Sequence, residues 1–414
     1  MTGVYREHIA IDKTLSLVGI GGPVIDGEGK GTVVEINAPG CTVSGFTIRG
    51  TGESLTIEDS GISLNSAKGS VIENNHLYDI LFGIYLKNSP DSIIKGNTLV
   101  GKDDLSIPNR GDGIRLWYSS NTKVLDNDIR NTRDLVIWFS SGTLIRGNSV
   151  RGGRYGLHYM YSNRNTFEDN LFEGNYVGGF LMYSKGLRFY HNVFSGNQSI
   201  ASGYGIGFKD IDDVEAADNV FIDNRIGIYL DNSPSLIDSW NRITDNLIAY
   251  NDVGISLMPS IERNVFLGNS FVENTEQVGI RGGGTLSGNK WFGADGGNYW
   301  SDYVGFDKDE DGYGDVPYVA ESLFESLIDK YPALRLFMFS PVVNAIEFAA
   351  EAFPVVKPKP KVVDRMPLMR PLLPPRFRPQ ERVSSAGLLL ASTVLLALSL
   401  GFYSYILVSG KEKR

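Results

Sequence analysis

A small residue followed by an aliphatic one recurs along most of the chain. The pairs are Gly61-Ile62, Gly83-Ile84, Gly113-Ile114, Leu135-Val136, Gly156-Leu157, Gly178-Gly179, Gly205-Ile206, Gly227-Ile228, Gly254-Ile255 and Gly279-Ile280. Successive first members lie 22, 30, 22, 21, 22, 27, 22, 27 and 25 residues apart. A series of asparagines, Asn75, Asn97, Asn127, Asn148, Asn170, Asn192, Asn219 and Asn241, stretches and contracts with them. Longer intervals therefore read as loops inserted into a fixed unit of about 22 residues, the mark of a solenoid. Within each unit apolar and other positions alternate, as in GIYLKNS at 83–89 and GIYLDNS at 227–233. That period predicts short strands with Ile84 and Leu86, or Ile228 and Leu230, on one face. No unit carries a helical apolar pattern, which disfavours helical and leucine-rich repeats.

The expected fold is all-β: a right-handed parallel β-helix of about ten coils over residues 1–297, with rungs about 4.8 Å apart. Equivalent asparagines should stack and pass amide hydrogen bonds along the axis. Ile62, Ile84, Ile114, Leu157, Ile206, Ile228 and Ile255 should form the inner column, with Cys41 also facing inward. After Asn298 the period stops. Residues 298–353 read as a cap holding an acidic loop and two short helices, near 320–330 and 342–352. The second places Val343, Ile346, Ala349 and Phe353 on one face, for a contact with the rod or with a membrane protein. Residues 354–385 are Pro-rich and predict an extended linker. Residues 386–408 are 23 uncharged, largely apolar positions, long enough for a single transmembrane helix, and 409–414 form a basic tail. The head, MTGVYREHIAIDKTLSLVG, has no apolar stretch of a secretory signal, so a natural leader is expected to be missing here.

Charge and cysteine count narrow the function. With 48 acidic against 39 basic residues and a net charge of −9, a nucleic-acid binder working by phosphate neutralisation is excluded. A single cysteine and four histidines exclude a disulfide framework and disfavour thiolate or multi-histidine metal sites.

The outward positions carry the candidate chemistry. Four residues beyond the start of each unit stand Trp117, Phe139, Met160, Met182, Lys209, Asp231 and Met258; two beyond stand Arg115, Ile137, His158, Phe180, Gly207 and Tyr229. An outward stripe of aromatic, Met and His side chains marks a binding surface. His158, Met160 and Met182 make a soft donor set for Cu(I), with Met160 and Met182 on adjacent rungs. Arg115, Trp117, Tyr118, Phe139, Tyr161, Phe180 and Tyr183 form a partner-binding border, and the same stripe without metal is a docking face or one covered by a loop. Asp307, Asp309, Asp311 and Asp315 alternate around Gly312 like the start of a Ca²⁺ loop, although Tyr318 stands where an EF-hand needs its bidentate Glu. Met366 and Met369 are a weaker copper pair or apolar anchors. An enzyme acting on polysaccharide would use clustered carboxylates; the best clusters are Asp210, Asp212 and Asp213, and Asp112 with Arg115, and no partners on neighbouring coils are expected for either.

The stretches RGDGIRLWYSS (110–120), GRYGLHYMYSNRN (153–165), VGGFLMYS (177–184), GGNYWSDYVGFDKDEDGYGDVPY (296–318), SPVVNAIEFAAEAFPV (340–355) and DRMPLMRP (364–371) resemble the NosD family, CASH-type β-helix proteins for maturation of nitrous-oxide reductase. The resemblance implies a non-enzymatic, extracytoplasmic solenoid bound to an ABC transporter permease and its ATPase. It implies receipt of copper from a lipid-anchored chaperone for the copper centres of nitrous-oxide reductase, or a part in sulfur export. Ser340 to Met369 becomes the expected foot on the permease, with Ile346 and Phe353 in contact, and the C-terminal apolar segment an added membrane tether. A carbohydrate-active enzyme and a structural surface solenoid without metal are the alternatives.

Overall fold

The computed structural model describes residues 2–283, 286–320, 323–337, 340–352 and 360–375. The chain divides into two compact units, Met1–Pro374 and Pro375–Arg414. The second lies outside the described residues except for Pro375, and so does the apolar segment 386–408. Among the described residues no helix is long and apolar enough to cross a membrane.

Residues 2–283 and 286–300 wind as a parallel β-solenoid. One face is a 13-stranded sheet running from Val4–Arg6 to Tyr299–Trp300, and the other two faces form a 21-stranded sheet. The strands Gly179–Tyr190 and Tyr204–Ala217 run around the corner between those two faces. The solenoid has about 12 turns rather than the ten expected. The earliest turns lack the Gly-Ile signature: Val34 and Ile36 sit beneath Ile62 and Leu64 without it.

The repeat exists because inner positions must be apolar and one position must be small. Ile62 pairs with Ile84, Ile84 with Ile114, Ile206 with Ile228 and Ile228 with Ile255, all buried as expected. Cys41 is buried too. At Gly178 a Cβ would come 2.4 Å from the Gly205 carbonyl oxygen, so neighbouring turns close together only if that side chain is absent. One unit lies a residue out of phase with the small-apolar pattern. Leu135 pairs with Ile114, which puts Asp134 at the small position, Val136 beside Arg115, Ile137 in the core and Trp138 beside Trp117. Phe139 is therefore a corner residue, and Trp138 takes its place in the outward column.

Three asparagine ladders hold the bends. Asn75, Asn97, Asn127, Asn148, Asn170, Asn192, Asn219, Asn246 and Asn269 each pass the Nδ2 amide to the next Oδ1 at 2.9–3.1 Å, and the series ends on Asn298. Asn241 leaves this series; it donates to Asn264, which donates to Asn289. Asn175, Asn197, Asn224, Asn251 and Asn274 form a third ladder. Each amide satisfies buried bend groups that would otherwise cost about 1–3 kcal/mol.

The last turn is closed by aromatic stacking and by a returning strap. Trp300 lies between Phe271 and Tyr318, with ring centroids 4.3 Å away on both sides. Two helices follow, α1 (Leu323–Lys330) and α2 (Pro341–Ala352), close to the expected spans. On α2, Val343 and Ile346 are half-buried and Ala350, not Ala349, is buried; Phe353 lies outside the described residues. Residues 360–374 pack back onto the solenoid. Val362–Asp364 pairs antiparallel with Tyr318–Ala320, Asp364 accepts from Asn298 N–H (2.7 Å) and Trp300 Nε1 (3.0 Å), and Leu372 N–H donates to Ser270 Oγ (2.8 Å). Lys361 enters a buried nest with Glu276 at 2.8 Å, Asp329 at 2.9 Å and Glu325 at 3.4 Å, so one cation joins the solenoid, α1 and the strap.

Candidate functional site

The outward stripe forms on the middle turns. In the sheet register Trp117, Trp138, Met160, Met182, Lys209 and Asp231 are successive neighbours in one column. Two residues back along each strand, Arg115, Val136, His158, Phe180, Gly207 and Tyr229 form the next. His158, Met160 and Met182 are half-buried and outward, so an imidazole and two thioethers lie on one surface. The Tyr155 and Trp138 rings flank His158, each centroid 4.9 Å away.

At the adjoining corner Tyr118, Phe139, Tyr161 and Tyr183 stack face to face, with centroids 4.7, 5.1 and 5.1 Å apart. All four have positive φ, from 49° to 54°, an unusual conformation for bulky side chains. A serine follows each, and a ladder from Ser89 through Ser119, Ser140 and Ser162 to Ser184 accepts backbone N–H groups at 2.9–3.0 Å and fixes the bend. The same corner holds Asn88 and Asn232 in other turns, at φ 51° and 46°. Aromatic rings are thus not what the bend requires. Because the rings cover one another's faces, they present edges and hydroxyls as a ridge; Tyr118, Tyr161 and Tyr183 are 51%, 46% and 40% exposed.

Beneath the stripe lies a charged layer that sequence reasoning missed. Asp134, 1% exposed, is bound by Arg154 and by His158 Nδ1 at 3.2 Å. Asp112 is held by Arg133 at 2.9 Å and by Arg115 at 3.7 Å, and Arg115 also reaches Glu58 at 3.0 Å. Partners on neighbouring turns therefore do exist for Asp112 and Arg115, contrary to expectation. Burial raises the Asp112 carboxyl to about 6, with Arg133 acting against the rise. Burial also acts to raise Asp134, but hydrogen bonds from His158 and Arg154 outweigh it and leave its carboxyl below the usual range. The Arg115 guanidinium lies over the Tyr85, Trp117 and Trp138 rings at 5.1–5.6 Å, which ties the charged layer to the aromatic column.

The other acidic cluster also finds partners on neighbouring turns: Asp210 accepts from Asn232 Nδ2 and Asp213 lies 3.5 Å from Arg188, while Asp212 mainly serves the backbone. Asp212 accepts from Ser235 N–H and Leu236 N–H at 2.8 Å and from Ser235 Oγ at 2.9 Å, so its carboxylate holds the 234–236 bend. Asp307, Asp309 and Asp315 bring carboxylate oxygens within 4.8 Å of one another. Asp311 is turned to the Tyr313 N–H at 2.9 Å instead. Met366 and Met369 sit in the strap, where Gly297 N–H donates to the Met366 carbonyl (2.9 Å) and Met369 N–H to the Gly312 carbonyl (3.1 Å); they close the acidic loop and do not join the His158 stripe.

The fold class is thus a parallel β-solenoid bearing an outward imidazole–thioether stripe beside an aromatic ridge. The chain belongs to the NosD family: the family model described as periplasmic copper-binding protein (NosD) matches residues 101–305. The protein of Pseudomonas aeruginosa named "Probable ABC transporter binding protein NosD" is 35% identical over 90% of this chain and 88% of its own length. Its namesake in Stutzerimonas stutzeri is 33% identical over 89% and 85%. Among solved structures, the Dettilon tailspike protein matches 66% of this chain and 61% of its own at 16% identity and a TM-score of 0.43.

Proposed function

We propose that this protein is a non-enzymatic maturation factor for nitrous-oxide reductase that takes Cu(I) on its outward stripe and passes it on outside the cytoplasm. In this reading His158, Met160 and Met182 hold the ion as cargo. The donor chemistry fits: two thioethers on adjacent rungs and an imidazole on the same face suit a soft monovalent cation and no hard one. The copper donor, a lipid-anchored chaperone, docks along Tyr118, Phe139, Tyr161 and Tyr183 with Arg115, Trp117 and Phe180 at the edge. An ABC transporter permease and its ATPase form the membrane platform, met by the foot from Ser340 to Met369 with Ile346 and Phe353. Asp307, Asp309 and Asp315 hold Ca²⁺ and stiffen the closing loop; the Asp307 Oδ1 atom, enclosed and without a hydrogen-bond partner, supports this.

The observation that carries the copper reading is the shared outward face of His158, Met160 and Met182, locked by the register that pairs Met160 with Met182. A Cu(I) competition titration against a chromogenic chelator tests it. The unaltered chain should take up one Cu(I), and Met160→Ala with Met182→Ala should lose that uptake while melting normally. Equal uptake by both proteins rejects the site.

A further inference from the structure

We infer that Asp134 is a positioning residue that fixes His158 in the tautomer able to bind Cu(I); the inference rests on the copper reading above. An ionised carboxylate can only accept hydrogen bonds, so the 3.2 Å contact to Asp134 Oδ2 requires His158 Nδ1 to carry the proton. The neutral ring then keeps an unprotonated Nε2 as its donor atom. Histidines that bind metal commonly give their other ring N–H to a carboxylate in this way, which sets ring orientation and raises donor strength.

Three features make the lock stiff. Asp134 is buried at the position that Gly occupies in most other turns, so its side chain starts from the sheet itself. Arg154 binds the same carboxylate oxygen that meets His158, and Tyr155 N–H donates to the other oxygen at 3.2 Å, so the carboxylate cannot turn away. The imidazole packs against two rings, perpendicular to Trp138 and tilted against Tyr155. His158 therefore differs from the other histidines: His8 meets a backbone carbonyl, His191 is 3.8 Å from an exposed Asp169, and His76 leans on Tyr78. Only His158 combines a buried carboxylate on Nδ1 with two thioether side chains on its own face.

The test begins without copper. Long-range ¹H–¹⁵N spectra of the full chain at neutral pH, with His158 assigned by His158→Gln, should show the Nδ1–H tautomer. Asp134→Ala should shift the ring toward Nε2–H, weaken Cu(I) binding about 10- to 100-fold, and reduce the nitrogen contribution in the Cu(I) X-ray absorption spectrum. Asp134→Asn, whose amide oxygen can accept the same N–H, should recover most of the affinity and serves as the probe should the alanine variant fold poorly. An Nε2–H tautomer in the unaltered chain overturns the inference even if copper binds. Unchanged affinity and unchanged nitrogen ligation in the alanine variant also overturn it. No Cu(I) uptake by the unaltered chain overturns the copper reading and this inference together, which separates the two failures.

Discussion

Met160 and Met182 are direct neighbours in a parallel sheet although 22 residues separate them in the chain. That adjacency is a consequence of solenoid winding, in which each turn lays its side chains over those of the turn before. A donor pair, an aromatic ridge and three amide ladders all come from repeating one local choice at one place in the unit.

The ridge can be removed without disturbing the bend. Asparagine occupies the same left-handed corner at Asn88 and Asn232. The triple variant Tyr118→Asn, Tyr161→Asn, Tyr183→Asn should therefore retain its circular dichroism and its Cu(I) stoichiometry, at a cost in stability of about 1–3 kcal/mol for the lost stacking. Association with the copper-loaded donor, measured by surface plasmon resonance, should weaken at least tenfold. Undiminished association would place docking elsewhere.

Burying a charge in the inner column should be severe. Ile206 has Ile228 above it and is 1% exposed. Ile206→Asp puts a carboxylate there without a partner and should cost more than about 3 kcal/mol, read from urea unfolding. Ile206→Val should cost only about 1 kcal/mol. Similar midpoints for the two variants would contradict the assigned register.

The nest around Lys361 should make stability depend on pH in an unusual direction. Burial raises the Glu325 carboxyl from 4.5 to about 7, with the Lys361 cation acting against the rise. The folded protein thus holds this proton more tightly than the unfolded chain, so the contribution is fully present below about 4.5 and disappears as pH climbs to about 7. Asp112, raised to about 6, acts in the same sense. Glu325→Gln should flatten part of the decline in chemical-denaturation stability between those limits. A quarter of the Glu325 side chain still reaches solvent, which keeps the effect below that of an enclosed carboxyl. An identical pH profile in the variant would show that the proton is held elsewhere. Lys361→Met should be worse at neutral pH, because it takes the shared cation away from the buried Glu276 and Asp329 carboxyls, at about 3–5 kcal/mol.

Calcium should act on the closing loop alone. Millimolar Ca²⁺ should raise the melting temperature and slow proteolysis within 305–316, chelator should reverse both, and Asp309→Asn should abolish the response. Loss of Cu(I) uptake on chelation would be inconsistent with separate sites.

Much of this protein follows directly from its order of residues. The Gly-Ile pairs, the alternation and the asparagines define the winding, because a strand that must bury every second side chain and approach its neighbour within van der Waals distance admits few residue types at those places. Once the unit is known, His158, Met160 and Met182 fall on one outward face without further information. The ordered motifs also carry the family resemblance.

Register within an irregular unit did not follow, because Leu135 satisfies the small-apolar pattern one place away from its actual position and only backbone pairing resolves which residue lies over Ile114. The exchange of Phe139 for Trp138 came from that single step. Nor could periodicity reveal that Asp134 reaches His158, that Asp212 is consumed by backbone amides, or that Lys361 and Asp364 return to close a solenoid whose last described strand lies more than 60 residues earlier. The first two are side-chain choices peculiar to one pair of adjacent turns, the last joins segments with no common repeat, and all are decided by where folding brings charge and hydrogen-bond donors out of water.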